Sequence, residues 1–593
     1  MHKFSNTESA LGKFWQLSAA DENYTMAAQQ KFGISNLLAR ILSQKNVELE
    51  AIPDFLDPKL KNLLPSPYLL KDMDKAVQRI AAAIKNKENI AIYGDYDVDG
   101  ASATAILTKY FRSLDVQPEI YIPDRIKEGY GLNTQALLDL KKRGNALVIS
   151  VDCGITAFEP ILEAKNAGLD VVVIDHHLSA EHMPVAVAVV NPNRVDDNSG
   201  LNNLCAAGVS FMLLVGLNKF LREDGFFKQN KLNEPDLLKL LDLVALGTVC
   251  DVMTLTGINR GFVSQGLKML SNRTNPGLAE ICDIAGLKNK PDVYSLGFLI
   301  GPRINAAGRI GDCSLGAKIL SSNDEVFTKS TAAILNDLNK ERQEIEKLAL
   351  QQAVKQAEKQ HEKNKHAPLI LVHSADWHQG VIGIVAGRLK EMFNKPTAVI
   401  SITGGIGKAS ARSVSGIDFG SAVANAKAAG IITIGGGHKA AAGFTINENK
   451  IGELHDFLSR QFEKPYLEYI TNKNSYANLS LKVSSVNLEL INEMEKLAPF
   501  GNGNSEPKII LEDAKIVKTK IVGEKHLQCF ISEAGLAKNS ATIKGVCFNC
   551  VDTKLGEKLE AAYMKNASIL GKLRKNIWNG TENIEFLIED IVL

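Results

Sequence analysis

The chain has 593 residues, 45% hydrophobic and 23% charged, a length that implies about four folding units and a composition that implies buried cores rather than disorder. Lys and Arg number 68 against 67 Asp and Glu, for a formal net charge of +1. That balance excludes a uniformly basic nucleic-acid binder and confines any such role to local patches. The eight cysteines are sparse and lie mostly in apolar runs, the pattern of reduced thiols rather than of a disulfide framework. The N-terminal MHKFSNTESALGKFWQL has no continuous apolar run, and no stretch approaches 18 apolar residues. Neither a signal peptide nor a spanning helix is therefore expected, and the expected setting is cytoplasmic with no membrane partner.

Residues 1–75 read as helices with turn breaks, an N-terminal helical extension with little visible chemistry. Over 76–323 the pattern changes to strands alternating with helices. NIAIYGD (89–95), ALVISVD (146–152) and DVVVID (170–175) are short β-branched runs, which predict an α/β domain with a mostly parallel sheet covered on both faces. Residues 324–366 lack Gly and Pro and repeat Ile334, Leu338, Ile345, Leu348 and Val354 at helical spacing. They predict one long connecting helix, or two nearly continuous ones, ended before Pro368. A second α/β domain is expected over 367–465. Residues 466–593 hold five or more short strands, which suit a small barrel or sandwich.

The strongest chemical signal is YGDYDVDG at 93–100. Asp95, Asp97 and Asp99 follow a predicted strand and precede a helix, and would repel one another unless a cation neutralised them. Such a density of oxygen ligands suits Mg2+ or Mn2+; an Asp-rich turn without an ion is the alternative for this segment alone. SVDCG places Asp152 at the end of the next strand, VIDHH places Asp175, His176 and His177 at another, and ALGTVCDV ends a predicted helix or strand at Asp251. In a parallel sheet the carboxyl ends of the strands converge on one crevice, where ligands bind. Mixed His and Asp ligands favour Mn2+ somewhat more than an all-carboxylate set would.

These four segments resemble motifs I to IV of the DHH phosphoesterase superfamily. YIPDRIKEGYGLN (121–133), LIGPRINAAGRIGD (299–312), WHQGVIGIVAGRL (377–389), GKASARSV (407–414) and GGGHKAAAGF (435–444) resemble its RecJ branch, whose members are single-strand-specific 5′→3′ exonucleases. The resemblance covers nearly the whole chain in order. It implies a DHH catalytic domain, a connecting helix, a DHHA1 domain and a C-terminal OB-fold β-barrel. It also implies two divalent ions, Mn2+ or Mg2+, held by Asp97, Asp99, Asp152, His176 and Asp251. Asp152 would bridge the ions, Asp95 and Asp175 would orient the ligands from behind, and His177 would contact the phosphate, assist proton transfer or support His176.

A recogniser of the chain end needs fixed guanidinium forks with hydroxyl or backbone donors. Arg125, Arg309, Ser410 and Arg412 stand in motifs matching the family's end-binding segments, with Arg303 a second candidate. Gly436 and Gly437 would let backbone approach a phosphate, and His438 would supply a donor. Lys408 does not belong to a Walker loop: Ile402 occupies the first glycine position and Ala409 follows the lysine, so no ATP site is expected. In the barrel, Phe530, Phe548 and Trp578 are candidate stacking rings, each of which could instead be core. Cys547 and Cys550 lack a second CxxC pair, so no zinc site is expected.

The resulting expectation is a metal-dependent single-stranded-DNA 5′→3′ exonuclease that releases 5′-mononucleotides in recombination and repair. The resemblance implies a monomer with single-stranded DNA, a helicase and a single-strand-binding protein as partners. A small-substrate DHH enzyme and a non-catalytic strand-binding scaffold are the alternatives; the terminal barrel counts against the first and the intact acids against the second. The neutral charge balance hides segregation: residues 371–445 carry net +4 and 508–580 net +6, leaving −9 elsewhere.

Overall fold

The structure, a computed structural model, describes residues 2–4, 7–535, 542–578 and 581–593, with backbone alone at His2, Lys3, Ile577 and Trp578. The chain divides into two compact units. One contains residues 65–253 and 262–472, the other residues 1–64, 254–261 and 473–593.

The first unit begins with a five-stranded, all-parallel sheet. Its order is Glu119–Tyr121, Ile90–Gly94, Leu147–Val151, Asp170–Ile174, Ala188–Val190. The three central strands are almost wholly buried, which is why they read as continuous apolar runs rather than alternating ones. The helix Val98–Arg112 follows the first acid-bearing strand and buries 13 of its 15 residues. Two glycines permit this packing. A Cβ on Gly94 would lie 2.1 Å from Thr104 Oγ1, and one on Gly100 would lie 2.6 Å from Asp95 O.

Residues Glu325–Lys363 form one helix of 39 residues, capped by Asp324, which accepts from the Val326 and Phe327 amides. At 1.5 Å per residue it is about 58 Å long. Its buried face coincides only in part with the apolar series of the sequence: Leu338, Ile345 and Val354 are half-buried, the last two against an apolar cluster. Ile334 and Leu348 are 48% and 62% exposed, whereas Thr331, Ala332, Leu335, Asn336, Asn339, Arg342, Glu346, Ala349 and Ala353 are buried. Small side chains let neighbouring elements approach closely, and polar pairing replaces apolar contact along part of the face. Arg342 bonds Glu346 and Asn339, and Asn336 accepts from Arg303 Nε at 3.1 Å.

The helix leads to a second sheet of five strands, ordered Ile434–His438, Ala441–Asn447, Ile406–Arg412, Thr397–Thr403, Ile370–Ser374. The last pair is parallel and the others antiparallel. Along Ile406–Arg412, Gly407, Ala409 and Ala411 are buried. Lys408, Ser410 and Arg412 alternate with them and share the opposite face.

In the second unit a closed five-stranded barrel runs Ile509–Val522, His526–Glu533, Ile543–Cys547, Thr581–Val592, Asn566–Trp578 and back to the first strand. Leu479–Lys482 adds a parallel strand. The N-terminal segment, which reads as an extension in the sequence, is part of this unit's core. Ala28, Leu38, Ile41, Leu42 and Ile52 pack in one cluster with Leu479, Ile509, Ile531 and Phe586. Trp15 is fully buried and donates through Nε1 to Asp590 Oδ2 at 3.2 Å. The helices Glu22–Phe32 and Asn36–Gln44 therefore gain their stability by covering apolar barrel surface rather than by standing alone. Among the described residues no helix is long and apolar enough to cross a membrane.

Candidate active site

The acids come together at the carboxyl edge of the parallel sheet, each placed by its own local device. Asp97 caps the helix Val98–Arg112, its Oδ1 accepting from Gly100 N at 3.0 Å. Asp99, in the first turn of that helix, accepts from the amides of Ala206 and Ala207 at 2.6 and 2.9 Å, at the start of the helix Ala206–Glu223. The positive end of that helix favours a carboxylate there. Asp152 lies just past Leu147–Val151 with φ 62°, a left-handed backbone that Asp tolerates better than most residues. Asp251 arrives from a helix, as the C-cap of Leu241–Cys250. An acid at a helix C-terminus is electrostatically unfavourable and is relieved by a cation. Gly247 of that helix admits Asp99: a Cβ there would stand 2.5 Å from Asp99 Oδ1.

His176 is the hub. Its Nε2 lies 3.2 Å from Asp152 Oδ1, 3.5 Å from Asp251 Oδ2 and 3.7 Å from Asp99 Oδ2. Three overlapping groups have ligand atoms within 4.8 Å of one another: Asp152 with His176 and His177, Asp99 with His176 and Asp251, and Asp95 with Asp97 and Asp152. Asp95, expected behind the ligands, is thus brought into the cluster itself. Asp175 stands behind it. Its carboxylate accepts from the amides of Ile155, His176 and His177 and bonds His177 Nδ1 at 2.8 Å. Burial opposes its charge, but these four donors hold its pKa at about 2. Burial would likewise lower His177, yet Asp175 raises it to about 9.

The cluster has the electrostatics of a cation site. Asp95 Oδ1, Asp152 Oδ1 and Asp251 Oδ2 are buried and have no hydrogen-bond partner, which costs free energy unless something positive meets them. Burial, with neighbouring carboxylates adding to it, raises Asp95 and Asp152 well above the usual range. The same causes bring Asp251 to about 8. Burial lowers His176, leaving a neutral imidazole able to act as a ligand. Buried oxygens left open, acids that resist ionising together and a neutral imidazole fit two hard divalent ions.

A cavity of about 280 Å3 opens over Asp95, Asp97, Asp152, His177 and Asp251. A second, of about 480 Å3, adjoins it, and both are lined by Tyr96, Arg125, Tyr130 and Arg309. The second also holds Ser410, Arg412, Lys408 and Gly437. Arg309 donates to Gly380 O at 2.8 Å, Arg412 to Ser410 Oγ at 3.3 Å, and Arg125 lies 5.0 Å from the Tyr96 ring centre. Burial first, and neighbouring arginines with it, lower Arg309 to about 10, and burial lowers Arg412. Arg412 and Ser410 line the second cavity alone, whereas Arg125 and Arg309 face the carboxylates of the first as well; guanidinium groups so gathered suit an anion that bridges the two.

Other expected residues lie elsewhere. Arg303 does not line either cavity and is occupied by Leu299 O and Asn336. Gly436 and His438 are exposed and do not line the second cavity, although Gly437 between them does. On the barrel, Phe530 is half-buried on the outward face with Lys518 Nζ 5.7 Å from its ring centre, and Phe548 is 58% exposed. Neither is core. The Trp578 side chain lies outside the described residues. Cys529, Cys547 and Cys550 are buried within the barrel. The sequence reading missed Tyr130, whose hydroxyl donates to Asp152 O at 3.0 Å and lies 3.3 Å from His177 Nδ1. It also missed Asn191 and Asn193, which bond the His177 and His176 carbonyls. Only their nearness in sequence to the DHH triplet hints at the last two.

Comparison with known proteins agrees with this geometry. The DHH family, N-terminal domain, matches residues 89–248, the DHHA1 domain residues 366–464, and the RecJ OB domain residues 477–590. The chain is 33% identical to the "Single-stranded-DNA-specific exonuclease RecJ" of Dickeya dadantii, over 94% of this chain and 96% of that protein. The chain belongs to the RecJ family. The RecJ of Bacillus subtilis is 31% identical over 97% of this chain and 70% of its own length. A crystal structure of RecJ from Thermus thermophilus in complex with Mn2+ superposes with a TM-score of 0.77. It shares 26% identity and covers 98% of this chain and 79% of that one.

Proposed function

We propose that this RecJ-family chain is a metal-dependent, single-strand-specific DNA 5′→3′ exonuclease that releases 5′-mononucleotides in recombination and repair. The observation that carries the reading is the continuity of an acid–histidine cavity with an arginine–serine cavity through Tyr96, Arg125, Tyr130 and Arg309. A strand end held in the second places the following phosphodiester over the first. The relatives' name and the Mn2+ and Mg2+ complexes of Thermus thermophilus RecJ support it.

Asp97, Asp99, Asp152, His176 and Asp251 would hold the ions, with Asp152 central and the Asp95 oxygen close to it. When bound, two such ions supply Lewis-acid stabilisation of phosphate charge and a water acidic enough to attack at neutral pH. Asp175 fixes the His177 ring through Nδ1 and favours its charged form, the form that can donate to a phosphate oxygen as charge develops. Arg125, Arg309, Arg412 and Ser410 grip the terminal 5′-phosphate and set polarity, since the cavity beyond the acids accommodates an end. Phe530 with Lys518 offers the barrel a stacking and phosphate contact. The family setting is a cytoplasmic monomer working beside a helicase and a single-strand-binding protein.

Digestion of end-labelled single and double strands, with Mn2+, with Mg2+ and with chelator, tests the reading. Stepwise loss of 5′-mononucleotides from single strands only, dependent on added ion, is expected. Release from the 3′ end, or activity unaffected by chelator, overturns it.

A further inference from the structure

The arginine cavity holds a cation, Lys408, that the arginine–serine reading of the 5′ end does not use. It is lined by Arg125, Arg309, Arg412 and Lys408, with no Asp or Glu among its described lining residues. A 5′-monophosphate carries a charge of about −2 near neutral pH. Arg125 and Arg309 also face the acid cluster, so Arg412 and Lys408 are the cations that belong to this cavity alone.

The strand Ile406–Arg412 shows where Lys408 lies. Lys408, Ser410 and Arg412 occupy alternate positions on one face. At about 3.3 Å per residue, the row spans on the order of 13 Å between the Lys408 and Arg412 backbones. Arg412 is close enough to Arg309 for its charge to act on it, and Arg309 lines both cavities. Lys408 lines only the arginine cavity and lies toward the exposed Gly404–Gly405 turn. Among the described residues that line this cavity beside it there is no carboxylate. Between the two ends the floor is cut away: a Cβ on Gly383 would stand 3.0 Å from Ser410 Oγ and 3.3 Å from Arg412 Nη2. Gly443, opposite Ser410 in register, faces open space apart from Ala409 O at 3.6 Å. The order is therefore acid cluster, Arg309, Arg412, Ser410, Lys408. With the terminal 5′-phosphate read as held by Arg309, Arg412 and Ser410, Lys408 is the next residue on that strand face, on the side away from the acids.

We propose that the cavity also accepts single strands whose 5′ end bears a diphosphate or triphosphate, with Lys408 binding the phosphates beyond the first. This rests on the reading of the cavity as the 5′-end site. A triphosphate end adds negative charge beyond the first phosphate, where Lys408 is the next cation along the row. The chemistry at the acids is unchanged: water adds to the phosphorus of the second nucleotide, and the O3′ of the first leaves with a proton. The first product is then a nucleoside 5′-triphosphate, and the shortened strand carries an ordinary 5′-monophosphate.

The test is single-turnover digestion of one DNA sequence with a 5′-hydroxyl, 5′-monophosphate or 5′-triphosphate end, with the first product identified by mass spectrometry. The full-length protein is expected to release nucleoside triphosphate from the third substrate. Lys408→Ala should lower the ratio of triphosphate-end to monophosphate-end release about tenfold, and Lys408→Arg should keep it. A triphosphate end left intact while monophosphate ends are degraded overturns the proposal and leaves the end-site reading standing. So does removal of the extra phosphates as free pyrophosphate before nucleotide release. An unchanged ratio in Lys408→Ala overturns the assignment to Lys408. If Arg412→Ala retains the full preference for phosphate over hydroxyl ends, the end-site reading itself fails.

Discussion

At the scale of single residues, the site depends on groups that orient as much as on groups that would bind ions. Asp175 is wholly buried and accepts four hydrogen bonds, three from backbone amides and one from His177. Asp175→Asn loses that charge and leaves the His177 ring free to turn. Because partners of this kind set ligand orientation, we expect Mn2+ affinity or activity to fall about 10–100-fold. Calorimetric titration checks this; affinity equal to the parent's would show that Asp175 is only a packing residue. Arg412 serves the other cavity, where its fork stands beside Ser410. Arg412→Ala should erase most of the preference for 5′-phosphate over 5′-hydroxyl ends, read as the ratio of kcat/KM, since a charged donor to a phosphate contributes roughly 1.5–3 kcal/mol.

At the scale of elements, two helices determine whether the acids meet. The helix Val98–Arg112 approaches its strand so closely that a Cβ on Gly100 would overlap the Asp95 carbonyl carbon and oxygen, at 2.8 and 2.6 Å. Both atoms are backbone and cannot swing aside. Gly100→Ala should lower the melting temperature and cut hydrolysis together; a variant with parental activity would mean that the loop is more yielding than its packing indicates. The helix Leu241–Cys250 carries Asp242 as well as leading to Asp251. Asp242 is 1% exposed, its Oδ2 has no partner, and burial raises its carboxyl to about 6 against 3.8 in an unfolded chain. A raised acid pKa means that the folded state binds the proton more tightly. Its contribution is therefore full below about pH 3.8 and is lost as pH rises through 6. Asp242→Asn removes this dependence. Its stability relative to the parent should improve by about 2–3 kcal/mol between pH 4 and pH 8, measured by denaturant unfolding at each pH. A difference independent of pH would place the carboxyl's titration elsewhere.

At the scale of the whole chain, the near-zero net charge results from opposed local charges. Residues 371–445 and 508–580 carry net +4 and +6, and the remainder −9. The basic part includes the cationic strand face at Lys408 and Arg412 and the Lys518–Phe530 contact on the barrel. Strand binding should therefore weaken linearly in log affinity against log salt. Lys518→Ala should reduce that slope by roughly 0.7, the release expected for one phosphate contact on a single strand. An affinity constant across a salt titration would sink this account.

Much was legible in the sequence because it is locally encoded. The strands ending at Gly94, Val151 and Ile174 are β-branched and buried on both faces, so each announces itself and carries its acid to a carboxyl edge. The DHH triplet, the three acids of 93–100 and the glycine-rich strand are contiguous and were legible for the same reason. What the chain order does not encode is which distant surfaces meet. The apolar series Ile334, Leu338, Ile345, Leu348 and Val354 marks the helix Glu325–Lys363 but not its whole contact face, to which alanines and paired polar residues contribute. Residues 1–75 read as an extension, because amphipathic helices look the same whether they cover their own core or a barrel's. Arg125, Arg309, Ser410 and Arg412 lie as much as 287 positions apart and line one cavity only where two sheets and a helix end converge. By itself the sequence determined the local elements, the acids and their chemistry. The tertiary structure alone decided that Asp95 joins the cluster, that Arg303 does not reach it, and that Lys408 extends the cationic row, because those outcomes depend on long-range packing between segments whose own patterns do not name their partners.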